Sequence, residues 1–351
     1  MKMILEPFGT TKDGKKVERF WLTDNKCKVG VLTLGGIIQS LYVPDRDGTM
    51  TDVVLGFDSV QAYENQTCYI GALLGRCANR IVGNEVVIGQ EKIHLKCNDN
   101  GVCHLHGGIT GFDRKLWKAS VTEKGLTLSY SSKDGEEGYP GNLQVSVTYS
   151  LEGGALSLTY HAVSDKDTIC NLSNHVYFNL AGHGSGSVGE QKMQIFAKEY
   201  TPLGEAGAPD GRIEPVEGTP LDLNELTAFE ERWDDNFSQI RQARGYDHNY
   251  LIDGNGMRPF ARAVCEKNGI SLLVDSDMPA MQLYTGNYLE KLPAGKEKAA
   301  YGIRSGFCVE TQYPPNAVNC PTFQKPVLLA GQQYESTTVY RFTIKEKGDR
   351  R

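Results

Sequence analysis

Apolar residues along this chain alternate with polar ones more often than they recur at helical spacing. The clearest case is LQVSVTYSLEGGALSLTYHAVS (143–164). Val145, Val147, Tyr149 and Leu151 share one parity, and after Glu152-Gly153-Gly154 so do Leu156, Leu158 and Tyr160. That is the period of strands with one buried face, and the glycine pair marks the turn of a hairpin. Similar runs are KVGVLTLGGIIQSLYV (28–43), KLWKASVTEKGLTLSYSS (115–132) and CEKNGISLLVDS (265–276). Most of the 39 glycines and 14 prolines fall between such runs, where turns belong. Helix signals are few. Residues 58–66 predict one short helix, and residues 222–243 contain a second, with Asp222 and Glu225 at capping-box spacing. Long βαβ alternation is absent, which argues against a doubly wound parallel sheet. The expected fold is mainly β, a large antiparallel β-sandwich with a few short helices. No Pro-, Gly- or Ser-rich linker and no repeat divides the chain, so residues 1–351 are expected to form a single domain.

Composition adds limits. The 351 residues are 40% apolar and 23% charged, ordinary for a soluble globular protein and enough for one large β domain or two smaller ones. The net charge of −6 and the lack of any basic block give no reason to expect nucleic acid or anionic lipid as a partner. No stretch approaches the ~20 apolar residues of a membrane span. The first apolar patch is broken by Glu6 and Pro7, too early for a signal-peptide core. Nine cysteines at irregular spacing predict no disulfide framework, and a cytoplasmic location with reduced thiols is expected. No segment reads as a coiled coil, so a monomer is the expectation, with a homodimer left open.

Two motifs look like cofactor or metal sites. Gly184-Ser185-Gly186-Ser187-Val188-Gly189 matches the dinucleotide pattern G-x-G-x-x-G. That motif works only between a strand and a helix N-terminus, and here a β-like run (192–196) follows. Cys97, Cys103, His104 and His106 lie close in sequence, but at spacings of six, one and two that match no common zinc site. No metal and no cofactor are expected.

Five polar clusters stand out in strand-rich surroundings: GRCANR (75–80), LHGG (105–108), SNH (173–175), GYDHN (245–249) and ETQYPPNA (310–317). Singly, each has an ordinary explanation. Arg80 could pair with a surface acid, His106 could cap a turn, His175 could be a hydrogen-bonded core residue, Asp247 could fix a loop, and Glu310 could face solvent at a strand end. Collectively they resemble a known family. GALLGRCANRIVG (71–83), LHGG (105–108), DGEEGYPG (134–141), NLSNHVYFNLAG (171–182), GYDHNYLI (245–252), MQLYTGNYL (281–289) and ETQYPPNAVN (310–319) are similar, in order, to segments of the aldose 1-epimerase (galactose mutarotase) family. LGGIIQSLYVPDRDG (34–48) resembles that family's N-terminal strands. One departure is Val176, where the family usually has serine.

The resemblance implies a β-sandwich that binds a free hexose, D-galactose or D-glucose, and interconverts its α and β anomers. It implies His175 as general acid and Glu310 as general base, with Asn79, Arg80, His106, Asp247 and Gln282 binding the sugar. The chemistry asks for such a pair. Opening a hemiacetal takes a proton from the C1 hydroxyl and gives one to the ring oxygen, so an acid and a base must flank the anomeric centre. Carboxylate and imidazole suit neutral pH, and activity is expected to fall as pH rises above the histidine's pKa. Asn, Gln, Asp, Arg and His match a fan of hydroxyls, and Tyr177, Phe178, Tyr246, Tyr284 and Tyr313 are candidates to face the sugar's C–H groups. Other readings are a glycosidase using Asp247 and Glu310, a lectin-like module without catalysis, and a sugar-phosphate epimerase with Lys96, Arg114 or Lys115 as phosphate partners.

Overall fold

The alternation at 143–164 forms its hairpin and becomes the centre of a much wider sheet. The computed structural model describes residues 2–344. Strands Leu143–Glu152 and Ala155–Ser164 pair antiparallel along their whole length, from Leu143 opposite Ser164 to Glu152 opposite Ala155. Val145, Val147, Tyr149, Leu151, Leu156, Leu158 and Tyr160 are all buried, whereas Gln144 and Glu152 are exposed. A slip of one residue would turn that whole apolar set to solvent, so the register is strongly specified. At the turn, Gly153 and Gly154 have φ of 61° and 88°, a region costly for a residue with a Cβ.

This hairpin lies within a nine-stranded sheet. Its order is Lys118–Thr122, Gly125–Ser132, Leu143–Glu152, Ala155–Ser164, Gln333–Ile344, Ile270–Ser276, Arg258–Val264, Lys192–Ile195 and Thr227–Ala228. A second sheet is an N-terminal meander of five strands, Lys2–Thr10 through Met50–Asp52. A third has the order Glu214–Pro215, Glu199–Thr201, Asp247–Leu251, Ala280–Tyr284 and Cys308–Gln312. One hydrophobic core joins all three. Leu128, Val147, Leu158 and Leu272 come from the large sheet, Val29, Val31 and Leu41 from the meander, and Tyr250, Met281, Leu283 and Val309 from the third. Antiparallel strands sharing a core between stacked sheets make the expected β-sandwich.

The third sheet has two contrasting faces. Asn249, Gln282 and Glu310 are direct cross-strand partners, and so are Asp247, Tyr284 and Cys308. Opposed residues project to the same face, so these six share one side, while the intervening Tyr250, Met281, Leu283 and Val309 enter the core.

Helices are few, as expected. Val60–Asn65 falls within the predicted 58–66, with Ser59 Oγ accepting from the Ala62 amide at 3.3 Å. Ser238–Ala243 falls within 222–243 but does not start at the expected capping box. Asp222 Oδ1 instead accepts from the Asn224 backbone and side-chain nitrogens at 3.2 and 2.8 Å, a local turn that competes with helix formation. Residues 184–189 form a loop that leads into the strand Lys192–Ile195, as read from the sequence. Among the described residues all nine cysteines are unpaired, and no helix is long and apolar enough to cross a membrane.

Candidate active site

The polar face of the third sheet meets loops from the first half of the chain around a cavity of about 220 Å³. That is smaller than the roughly 300–1,000 Å³ of sites for drug-sized ligands, and suits one compact polar ring. Asn79, Arg80, His106, His175, Asp247 and Glu310 line it, with Thr67, Cys68, Tyr69, Leu105, Tyr177, Tyr284 and Tyr288. Six of the seven residues expected from the sequence therefore converge, from segments spread over more than 200 positions. Gln282 does not line the cavity. Its Nε2 donates to Asp247 Oδ1 at 2.7 Å, so it acts by holding that carboxylate.

Each side chain is placed by pairing elsewhere. Leu105 pairs with Arg80 across the two short strands Cys103–Leu105 and Arg80–Val82. This sets His106 beside Asn79, both with left-handed φ (51° and 62°). The two residues exchange contacts, with the His106 amide donating to Asn79 O and the Asn79 amide donating to His106 Nδ1, both at 3.1 Å. Because Nδ1 of His106 accepts a proton-bearing N–H, the neutral ring carries its own proton on Nε2. Arg80 Nε donates to Asp99 at 2.7 Å, and its Nη1 lies 3.9 Å from Asp247. His175 follows the strand Ser173–Asn174, which pairs with Leu73–Leu74, and its amide donates to Ala72 O at 2.8 Å. Val176 points away from the cavity into the main core, so the missing serine removes nothing from the pocket wall.

The decisive distance is 3.7 Å, between His175 Nε2 and Glu310 Oε1. Both side chains are almost wholly buried. Burial lowers the imidazole to about 4. Burial, reinforced by the Asp247 charge and opposed by Arg80, raises Glu310 well above the usual carboxylate range. Low polarity thus favours the neutral form of each group. His106 is likewise held neutral by burial, by His175 and by Arg80. Asp247 is raised by burial, against the pull of Arg80.

His106, His175 and Glu310 also come within 4.8 Å of one another, close enough to suggest a metal. The hydrogen bonding is wrong for it. A histidine that ligates through Nε2 needs Nδ1 to donate to a neighbour, and Nδ1 of His106 faces an N–H. Within the Cys97, Cys103, His104 and His106 group, both ring nitrogens of His104 are engaged. His104 Nδ1 is bonded to Lys96 O at 2.8 Å and Nε2 to the Tyr139 hydroxyl at 2.7 Å, outside the cavity.

None of the cations considered for a phosphate lines the cavity. Arg114 donates to the carbonyls of Tyr63, Glu64 and Gln66 and pairs with Asp113 at 3.0 Å, Lys115 lies 3.5 Å from Glu136, and neither lines the cavity. Lys96 lines a separate groove with Cys97 and Val102.

Comparison with known proteins identifies the family. The family model described as Aldose 1-epimerase matches residues 18–341. The chain belongs to the aldose 1-epimerase family. It is 40% identical over 332 residues to a galactose mutarotase of Homo sapiens, covering 94% of this chain and 95% of that one. It is 34% identical over 349 residues to an aldose 1-epimerase of Escherichia coli K12, covering 97% and 99%. A solved structure of a galactose 1-epimerase from Lactobacillus acidophilus superposes with a TM-score of 0.86 at 28% identity, covering 98% of this chain and 99% of that one.

Sequence reading of this aldose 1-epimerase family member missed part of the cavity wall. Of the five aromatic candidates to face a sugar, most of which read equally as core, Tyr177 and Tyr284 do line the cavity. Phe178 and Tyr246 are core residues, and Tyr313 packs against that core. Tyr69 and Tyr288 were not foreseen. Tyr69 stands two residues before the family segment 71–83 and Tyr288 lies inside the segment 281–289, and that placement was the available signal. Cys308, at one ring nitrogen of His175, carried no signal beyond its parity with Glu310.

Proposed function

We propose that this chain is an aldose 1-epimerase that interconverts the α and β anomers of free hexoses, with His175 and Glu310 as its acid–base pair. The observation that carries the reading is the 3.7 Å approach of His175 Nε2 to Glu310 Oε1 within a cavity of monosaccharide size. The sugar is held by hydroxyl contacts to Asn79, Arg80, the Nε2–H of His106 and Asp247, with Gln282 bracing Asp247 from behind.

In the ring-opening step Glu310, as carboxylate, accepts the C1 hydroxyl proton, and His175, as imidazolium, donates its Nε2 proton to the ring oxygen. The bond from C1 to the ring oxygen breaks and a carbonyl forms at C1. The pair is left as neutral carboxylic acid and neutral imidazole. Rotation about C1–C2 presents the other carbonyl face. Closure reverses both transfers, as microscopic reversibility requires.

The two forms of the pair differ only in which partner holds the proton, and their total charge is the same. No proton has to enter from water during turnover. The form favoured by burial is the one that matches the open-chain sugar. Sugar hydroxyls donating to Glu310 and accepting from His175 favour the other form, which opens the ring.

This assignment also moves the alkaline limit of activity. The working pair holds one proton. Below about pH 4 His175 takes a second and no base remains. Activity fails on the alkaline side when Glu310, raised by burial, loses the last proton. The expectation of a limb at the histidine's own pKa therefore passes to the pair. Two alternatives lose support: none of Lys96, Arg114 and Lys115 lines the cavity to meet a phosphate, and a glycosidase would have no use for the imidazole beside Glu310.

Polarimetry on freshly dissolved α-D-galactose tests the proposal. Purified protein is expected to speed the change in rotation over buffer, and to leave a nitrophenyl galactoside intact. A rotation rate equal to that of buffer overturns it. Residues 1–351 are proposed to act as one domain, and as a monomer.

A further inference from the structure

The acid–base assignment of His175 leaves its other ring nitrogen to be explained. Val176 is packed in the core and offers no polar atom. The strand Cys308–Gln312 supplies a partner instead, with Cys308 Sγ 3.4 Å from His175 Nδ1. Cys308 and Glu310 are two residues apart and project to the same face. One strand therefore addresses both nitrogens of the ring, sulfur at Nδ1 and carboxyl at Nε2 (3.7 Å). Tyr177 and Tyr69 lie nearly parallel to the imidazole, at 28° and 22° with centroids 4.8 and 6.0 Å away, and leave it little freedom to turn.

We propose that Cys308 is the positioning residue of the acid–base pair: its sulfur receives the Nδ1–H of His175, fixes one tautomer, and leaves Nε2 as the nitrogen that exchanges protons with the sugar. The inference rests on the assignment of His175 made under the proposed function.

The cycle requires Nε2 to carry a proton before ring opening and a lone pair after it. In both states Nδ1 must keep its own proton, so Nδ1 needs an acceptor throughout. A thiol is a weak one. That weakness suits the task. A carboxylate at Nδ1 would hold the ring cationic and hinder release of the Nε2 proton, whereas neutral sulfur orients the ring with little electrostatic bias. Burial and the neighbouring Glu310 carboxyl push the Cys308 thiol well above its usual range, so no thiolate competes with Glu310 for the proton. The other ionisable groups around the ring are His106, Tyr69, Tyr177 and Tyr284, with Arg80 and Asp247 across the cavity.

The test combines kinetics with ¹⁵N NMR of the histidine side chains. Wild-type protein is expected to show His175 protonated at Nδ1 when the ring is neutral. Cys308→Ala is expected to lower kcat roughly tenfold, the loss of about one hydrogen bond, with KM nearly unchanged and the two tautomers mixed. Cys308→Ser keeps an acceptor and is expected to recover most of kcat and the single tautomer. A wild-type neutral ring protonated at Nε2 overturns the inference. So does a Cys308→Ala protein with wild-type kcat, or one whose loss Cys308→Ser does not repair. Should Cys308→Ala fail to fold, the wild-type tautomer decides. An inactive wild type would sink the epimerase reading itself, while an active wild type with an indifferent Cys308 sinks this inference alone.

Discussion

Burial of His175 and Glu310 in one small cavity shifts the two groups in opposite directions, to about 4 for the imidazole and well upward for the carboxyl. A bell-shaped dependence of kcat/KM on pH follows, falling below about pH 4 and falling again only where Glu310 ionises, above the ordinary carboxylate range. A profile whose alkaline limb sits at an ordinary glutamate pKa near ~4.3 would contradict the account. On the proposed assignment His106 serves the sugar rather than the proton, since Asn79 N–H occupies its Nδ1. His106→Ala is therefore expected to raise KM more than it lowers kcat, and a fall in kcat alone would assign it proton transfer. His175, Glu310, Asn79, Arg80, His106 and Asp247 were legible in the sequence because they sit inside contiguous motifs. Tyr69 and Cys308 lie outside those motifs and Tyr288, though inside 281–289, was not singled out, because their place at the cavity depends on strands and loops brought together from distant segments.

At the scale of elements, strand alternation does most of the positioning. One face of the third sheet gives the core Tyr250, Met281, Leu283 and Val309, and the other gives the cavity Asp247, Tyr284 and Glu310. Periodicity revealed the strands of the large sheet, since hairpins there are local. The strand Cys308–Gln312 is buried on both faces, so it lacks a polar–apolar alternation and could be found only by its motif. The second helix was placed within the correct segment but given the wrong start, because Asp222 caps its own turn. Loops depend on a different device. Arg76 is fully buried and donates to Ser132 Oγ and O, Lys133 O, Pro140 O, Gly141 O and Thr168 Oγ1 at 2.9–3.3 Å. It ties the GRCANR segment, which carries Asn79 and Arg80, to the 134–141 loop. Arg76→Met would orphan several buried carbonyls and is expected to destabilise the fold by on the order of 3 kcal/mol, read from the denaturation midpoint in urea. A cost below ~1 kcal/mol would show that the loop finds other partners.

For the whole molecule, buried neutral histidines couple stability to pH. His248 lies behind the site with Nδ1 accepting the Asp247 amide at 3.1 Å, and burial lowers it to about 3. Its unfolded value is near ~6.5, so between those values the unfolded chain binds more protons. The stability it contributes is complete above ~6.5 and is lost as pH falls toward 3. Wild type is expected to lose stability relative to His248→Gln across that window, and parallel curves would refute the linkage. The β-sandwich itself was foreseeable because its sheets follow mostly from local hairpins and one shared apolar parity.

The central claim is that His175 and Glu310 share the proton that opens and closes the sugar ring. Its most direct test is the rate at which α-D-galactose reaches anomeric equilibrium with wild type, His175→Asn and Glu310→Gln, followed by polarimetry at saturating sugar. The account predicts that each substitution lowers kcat by roughly 10²–10⁴ with KM little changed. Either variant retaining wild-type kcat would contradict it.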